Sequence, residues 1–168
     1  MCSSDLLALK DGKVIAWGRN VDLHLKPCGQ IDVPAEAQSG VSQIAAGALH
    51  SLALKDGRVI AWGQNIYGQC DTPQDALSGV THISAGDYFS IAVKDGKLIV
   101  FGGRAFNVDH PPVETQSGIA YTDGGLYHGL ALKGGRVIAW GEDRMFNYGQ
   151  RDVPPTALSG VAQLSAGV

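Results

Sequence analysis

Residues 51–63 read Ser51-Leu52-Ala53-Leu54-Lys55-Asp56-Gly57-Arg58-Val59-Ile60-Ala61-Trp62-Gly63. Two apolar runs flank an Asp-Gly pair, and Asp-Gly readily supplies the two positive φ angles that a two-residue type I′ turn requires. The stretch predicts an antiparallel hairpin. The same pattern surrounds Asp11-Gly12, Asp95-Gly96 and Gly134-Gly135, so the chain carries this hairpin four times.

The hairpins belong to a longer repeat. Trp17-Gly18, Trp62-Gly63, Phe101-Gly102 and Trp140-Gly141 recur at spacings of 45, 39 and 39, and Ser39-Gly40-Val41, Ser78-Gly79-Val80, Ser117-Gly118-Ile119 and Ser159-Gly160-Val161 at 39, 39 and 42. A fixed period of this length is the mark of a repeat architecture. The off-period values place insertions in the loop between Trp17 and Pro34 and in the one between Trp140 and Pro154. Ahead of each hairpin, a run such as Val41-Ser42-Gln43-Ile44-Ala45-Ala46-Gly47 alternates in part between apolar and polar and stops at glycine, as a half-buried strand does.

Three-stranded meanders of this size leave a hydrophobic face open when alone, and radial stacking covers it. The expected fold class is therefore all-β, with four β-propeller blade units in a single repeat domain over residues 1–168. Its strand groups fall at 6–18, 41–63, 80–102, 119–141 and 161–168. Ala45, Ala53, Ala85, Ala92 and Ala131 suit crowded positions near the axis, while Trp17, Trp62, Phe101 and Trp140 suit the gap between blades.

Composition agrees with short strands and tight turns: 23 glycines and 7 prolines accompany only 17% charged residues in 168. A chain of this length buries roughly 70% of its unfolded surface. The net charge of -3 and the even spread of 13 Lys and Arg exclude a broad phosphate-neutralising face, so no nucleic acid is expected. No apolar run reaches membrane-spanning length, and Met1-Cys2-Ser3-Ser4-Asp5 has neither a basic nor an apolar leader region, so no membrane association is expected. Cys2, Cys28 and Cys70 lack metal-ligand spacing; free thiols are the default, with a Cys28–Cys70 bridge as the alternative.

No catalytic centre is legible. His24, His50, His82, His110 and His128 have neither HExxH nor His-x-His spacing, and His50 and His128 fall on equivalent repeat positions, which marks them as structural. There is no nucleophile elbow and no phosphate-cradling loop. Neither a metal nor a cofactor is expected.

If the three strands of a unit run up, down and up, the loops after the alanine-glycine and tryptophan-glycine pairs share one face. That face collects Leu49, Tyr67, Asp87, Tyr88, Phe89, Phe106, Tyr127, Phe146 and Tyr148, including seven of the twelve aromatics. Aromatics gathered on loops at one end suit a protein-binding surface. The alternatives are that they only pack over the blade tips, or that they stack on sugar rings.

At Ala45-Ala46-Gly47, His50-Ser51-Leu52-Ala53-Leu54-Lys55-Asp56-Gly57 and Val59-Ile60-Ala61-Trp62-Gly63 the sequence resembles the regulator of chromosome condensation (RCC1-like) repeat family, over about residues 6 to 168. Val33-Pro34-Ala35-Glu36-Ala37-Gln38-Ser39-Gly40-Val41 resembles the linker of its bacterial branch, β-lactamase inhibitory protein II. The resemblance implies a secreted, non-catalytic binder that caps a β-lactamase-like enzyme. It also implies contact residues at Leu49, Tyr88 and Tyr127, of which Leu49 departs from the aromatic pattern. Tyr121-Thr122-Asp123-Gly124 is a degraded third unit, and no acidic exchange site for a nucleotide-binding partner is found. The remaining expectations are a carbohydrate-binding propeller or a structural module without ligand.

The first unit starts at its second strand and the last stops after its first. Closure within one chain would demand about 90° per blade, whereas two chains exchanging half-blades would give eight blades at about 45° with no open edge. A homodimer, each chain supplying half of an eight-bladed ring, is the expectation.

Overall fold

A computed structural model describes residues 5–22, 24–141 and 148–167. Among the described residues, eleven strands of six residues each form three three-stranded sheets and one pair. The pair is β1 (Asp5–Lys10) with β2 (Lys13–Gly18). The complete blades are β3 (Val41–Ala46), β4 (His50–Lys55) and β5 (Arg58–Gly63); β6 (Val80–Ala85), β7 (Phe89–Lys94) and β8 (Lys97–Gly102); and β9 (Ile119–Gly124), β10 (His128–Lys133) and β11 (Arg136–Gly141). All pairings are antiparallel. The chain has the blades of a β-propeller.

The turns form as their chemistry dictates. Asp11, Asp56 and Asp95 hold φ of 51°, 50° and 51°, Gly134 holds 55° at the same place, and a glycine with φ between 71° and 80° follows each. Each hairpin then grips the next unit. The carbonyls of Gly12, Gly57, Gly96 and Gly135 accept from the backbone N–H of Val41, Val80, Ile119 and Val161 at 2.8–2.9 Å. The blades are joined by short 3-10 turns at Ala35–Gln38, Gln74–Leu77, Val113–Gln116 and Pro155–Ala157, each entered through a proline. Lys55, Lys94 and Lys133 reach across to carbonyls of the first three, at Glu36, Asp75 and Glu114.

Between blades the apolar faces meet. Leu52, Leu54 and Val59 of one sheet pack with Val80, Ile83, Ala92 and Phe101 of the next, and Phe89, Ile91 and Val93 pack in turn with Ile119, Ala131 and Trp140. Leu52, Phe89 and Ile91 are wholly buried, each stabilising by about 1.5–3 kcal/mol. The indole N–H of Trp62 donates to the Gln30 carbonyl and that of Trp140 to the Val108 carbonyl, both at 2.9 Å. These tryptophans fill the inter-blade gap as expected. Trp17 does not: it is 46% exposed, and with Leu6 and Ile15 it lies on a face of β1–β2 that stays open among the described residues.

The inner strands are also latched by polar side chains. The Gln43 amide accepts from the Ile83 N–H and donates to the Ile83 carbonyl, both at 3.0 Å, as a strand edge would. His82, at the equivalent position one blade on, bonds the Thr122 carbonyl at 3.2 Å, and its ring lies 4.4 Å from that of Tyr121.

Over residues 161–167 of the strand group expected at 161–168 the described chain forms no strand, and Val168 lies outside the described residues. Residues 161–167 carry no ladder, because the second strand that would pair with them in their own blade is absent from the described residues. Among the described residues, Val161 N–H bonds the Gly135 carbonyl and Ala166 N–H the Asp123 carboxylate. Cys28 and Cys70 are free thiols. No helix among the described residues is long and apolar enough to cross a membrane.

Candidate functional site

The turn from a blade's first strand to its second is built on Gly47, Gly86 and Gly125, each of whose N–H groups bonds the carbonyl three residues on. A Cβ on any of these glycines would collide with the ring of His50, Phe89 or His128 respectively. The bare glycine lets that ring fold beneath the turn. The residue just before the ring, at 49, 88 and 127, is then carried over the top.

The loop after the third strand presents its aromatic differently. In Tyr67-Gly68-Gln69 the Gln69 side-chain oxygen accepts from the Tyr67 N–H at 2.9 Å, and Gly68 takes a φ of 79°. Gln69 itself is buried, which anchors the turn and leaves the Tyr67 ring half-exposed. Tyr148-Gly149-Gln150 repeats the arrangement, with Tyr148 N–H on Gln150 at 2.6 Å. The signal was present in the sequence as a twice-repeated Tyr-Gly-Gln.

The two kinds of loop meet. Tyr88 and Phe106 have ring centroids 5.2 Å apart, and Tyr67 closes one triangle on them at 5.1 and 5.4 Å. Tyr127 closes a second at 6.1 Å from Tyr88 and 4.6 Å from Phe106. Four half-buried rings from three successive units thus form one continuous patch. Such contacts are each worth about 0.5–1.5 kcal/mol beyond area burial.

Asp87 underlies the patch. Its N–H donates to the Gly125 carbonyl at 3.1 Å, and the residue is 7% exposed. Burial raises its carboxyl above the ordinary range, and the positive charge of the chain's N-terminus pulls it the other way without cancelling the shift. Tyr88 and Tyr127 are also raised, first by burial and further by the Asp87 charge, which both phenols feel. Among the described residues no cation forms an ion pair with Asp87. The patch lies between two grooves of about 700 and 770 Å³: Tyr67 and Arg104 border the first, Tyr127 and Tyr148 the second.

Not every expected residue belongs. Phe89 is wholly buried among Ile91, Val108 and Ile138 and takes no part in the surface; it is the ring that folds under the glycine, one place past the residue the turn presents. Leu49 sits on the equivalent turn, half-buried, its carbonyl accepting from Gln64 N–H. Tyr148 stands apart from the four rings and is 86% exposed. Phe146, and the Glu142-Asp143-Arg144 run, lie outside the described residues. No group of three or more His, Cys, Asp or Glu suited to a metal occurs among the described residues.

Residues 41–69 match the family model of the regulator of chromosome condensation (RCC1) repeat. Among solved structures, the ectodomain of the Physcomitrella patens receptor kinase CR4 superposes with a TM-score of 0.70 at 22% identity, covering 99% of this chain and 45% of that one. Prp20p from Saccharomyces cerevisiae, whose structure is described with its binding properties to Gsp1p and histones, gives 0.65 at 21% identity over 83% and 44%. The CRINKLY WD40 ectodomain of the Arabidopsis thaliana receptor kinase ACR4 gives 0.64 at 22% over 84% and 49%. At these identities the likeness is one of fold. This chain spans less than half the length of each. No match is found among curated proteins.

Proposed function

We propose that this chain is a non-catalytic, protein-binding propeller segment whose partner docks on the patch of Tyr67, Tyr88, Phe106 and Tyr127. The observation that carries the reading is the joining of four rings from three units into one surface underlain by a buried carboxylate. Rigid aromatics of this kind supply large contact area at low entropy cost. Leu49 and Tyr148 flank the patch and extend the footprint. A β-lactamase-like enzyme is the first partner to try, on the strength of the repeat and linker resemblance. Capture or inhibition of a class A β-lactamase by this protein, lost on Tyr88→Ala and Tyr127→Ala with the melt unchanged, is the expected result. Binding that survives both substitutions refutes the face.

A sugar-binding reading draws on one feature, the 86% exposed Tyr148 ring beside the second groove. Glycan binding that depends on Tyr148 and needs no protein partner would favour it.

The open apolar face of Leu6, Ile15 and Trp17 supports association with a second copy, since elsewhere in the chain the same face of a blade is covered by its neighbour. Light scattering that returns twice the chain mass is the expected result, and a monomer refutes it.

A further inference from the structure

We propose that two copies of this chain exchange strands: residues 161–167 of each pair with the free edge of β1 in the other, closing one ring. The inference rests on the second-copy reading of the open apolar face. It deepens that reading by fixing which segment meets which edge, and in what register.

In each complete blade the second strand is the middle one, with the first strand on one side and the third on the other. β1 holds a second strand's place, since it leads into Asp11-Gly12 as β4 leads into Asp56-Gly57. It pairs with β2, and its other edge carries no strand among the described residues. Residues 161–167 are the converse. Val161, Gln163, Ala166 and Gly167 repeat Val41, Gln43, Ala46 and Gly47 of β3 and its closing glycine. Val161 N–H bonds the Gly135 carbonyl as Val41 N–H bonds that of Gly12, both at 2.9 Å, and Leu164 is buried as Ile83 is. This first strand is in position and has no ladder. An open edge recruits a strand from another chain, and here the matching strand belongs to the same sequence.

Three devices that join the complete blades stand half-made at these two ends. Lys55, Lys94 and Lys133 bond the carbonyls of Glu36, Asp75 and Glu114. The matching lysine is Lys10, which is exposed, and the matching carbonyl is that of Thr156. Trp62 and Trp140 donate to the Gln30 and Val108 carbonyls. The exposed Trp17 has its counterpart in Gln150, as far ahead of Ser159 as Gln30 is of Ser39. Gln43 bonds the backbone of Ile83 one blade on; Gln163, at the same place in its unit, is exposed, and its counterpart is Ile44. Exchange completes all three, each from two copies. The face of Leu6, Ile15 and Trp17 then covers Leu130, Leu132 and Val137 of the other copy, as Ile60 and Trp62 pack on Leu7 and Val14. Closure within one chain would need about 90° per blade, against about 45° in the exchanged ring.

The register follows from β3 on β4. Val161 faces Lys10, Gln163 faces Leu9, Leu164 faces Ala8, Ser165 faces Leu7 and Ala166 faces Leu6, with a bulge at Ala162. The Ile83 N–H is taken by Gln43, so the ladder to β7 uses its neighbours. By the same parity Ser165, not Leu164, presents its N–H to Leu7.

The test uses the whole protein, with light scattering over a concentration series and hydrogen exchange at the Leu7 amide. The parent should be a dimer. Ser165→Pro, which removes a ladder donor from a segment that forms no ladder in its own chain, should be a monomer with the circular dichroism of the parent's blades. Leu7 should exchange at least about tenfold faster in that variant. Gln163→Ala should raise the dimer Kd at least about fivefold. A dimer that persists in Ser165→Pro overturns the exchange, and so does an assembly larger than two chains, which would not be a closed pair. The two readings fail separately. A dimer lost on Trp17→Lys but indifferent to Ser165→Pro sinks the exchange and leaves association through the apolar face; a parent that stays monomeric sinks the second-copy reading itself.

Discussion

The His50 Nε2 atom lies 3.0 Å from the Ser90 Oγ atom of the neighbouring blade, and both groups are wholly buried. Ser90 spends its single hydroxyl proton on the Gln69 carbonyl at 2.7 Å, so it accepts from His50 Nε2–H. That fixes the tautomer: Nδ1 carries the lone pair, and it has no partner. A second proton would sit on Nδ1 with nothing to receive it, and burial accordingly pushes the His50 pKa down to about 4.

The consequence is acid sensitivity. A histidine whose folded pKa lies below its unfolded value of 6.5 takes up protons preferentially when unfolded, so it contributes no instability above pH 6.5 and an increasing loss as pH falls toward 4. The full loss is on the order of 3 kcal/mol. His82 and His128 are shifted in the same direction, first by burial, and add to the slope. Urea unfolding at pH 7.5 and pH 4.5 should show the drop, and His50→Phe, the residue the next unit carries at this place, should reduce it. An unchanged slope in His50→Phe would show that His50 is not the group responsible. Ser90→Ala, which orphans the Nε2–H as well, should cost about 1–3 kcal/mol at neutral pH.

Gln43 spans two blades by copying a strand edge onto Ile83. Gln43→Ala leaves a backbone donor and acceptor of a half-buried strand without partners, and should destabilise by about 1–3 kcal/mol by urea melt. Gln43→Leu should cost nearly as much despite restoring volume. Full rescue by Leu would mean that packing, not the paired hydrogen bonds, holds the inner strands together.

Two glycines with positive φ should respond in opposite directions. Gly63 has a φ of 105°, and a Cβ there would stand 2.7 Å from the Leu49 carbonyl oxygen and 2.8 Å from the His50 Cα, both backbone atoms. Gly63→Ala should therefore be severely destabilising. Gly134 has a φ of 55° and open space around it, at the turn position where the other hairpins carry Asp11, Asp56 and Asp95. Gly134→Asp should stabilise by about 0.4–1 kcal/mol, since it narrows the unfolded ensemble at a site whose φ aspartate already adopts in this chain. Differential scanning calorimetry of the two variants checks both signs.

The parts of this fold that were legible in the sequence are those set by local chemistry. Asp56-Gly57 and its copies dictate hairpins regardless of context, and the period of the tryptophan-glycine pairs sets the blade. What escaped depends on neighbours. Nothing local separates Phe89 from Tyr88, and only the collision between a Cβ at Gly86 and the Phe89 ring shows which of the two is presented. Gln43 reads as the polar half of an alternating strand, and its bond to Ile83, 40 residues on, appears only once the blades stack. Residues 161–167 have a strand's pattern and form no strand, because pattern cannot supply a partner. The aromatic loops were placed on one face by strand direction alone, but strand direction could not say that four rings would touch.

Asp87 should cost stability at neutral pH. Its carboxyl is raised by burial, so the folded chain favours the neutral form, and the cost of keeping the charge grows as pH rises through the unfolded value of 3.8 and is complete above the folded pKa. The positive charge of the N-terminus opposes the shift without cancelling it, and Tyr88 and Tyr127, which feel the Asp87 charge, stay neutral over that range. Asp87→Asn keeps the shape and removes the charge. Its Tm should exceed that of the parent at pH 7 and match it near pH 3. A variant that is less stable at pH 7 would mean that the attraction of the positively charged N-terminus outweighs the burial cost of the carboxylate.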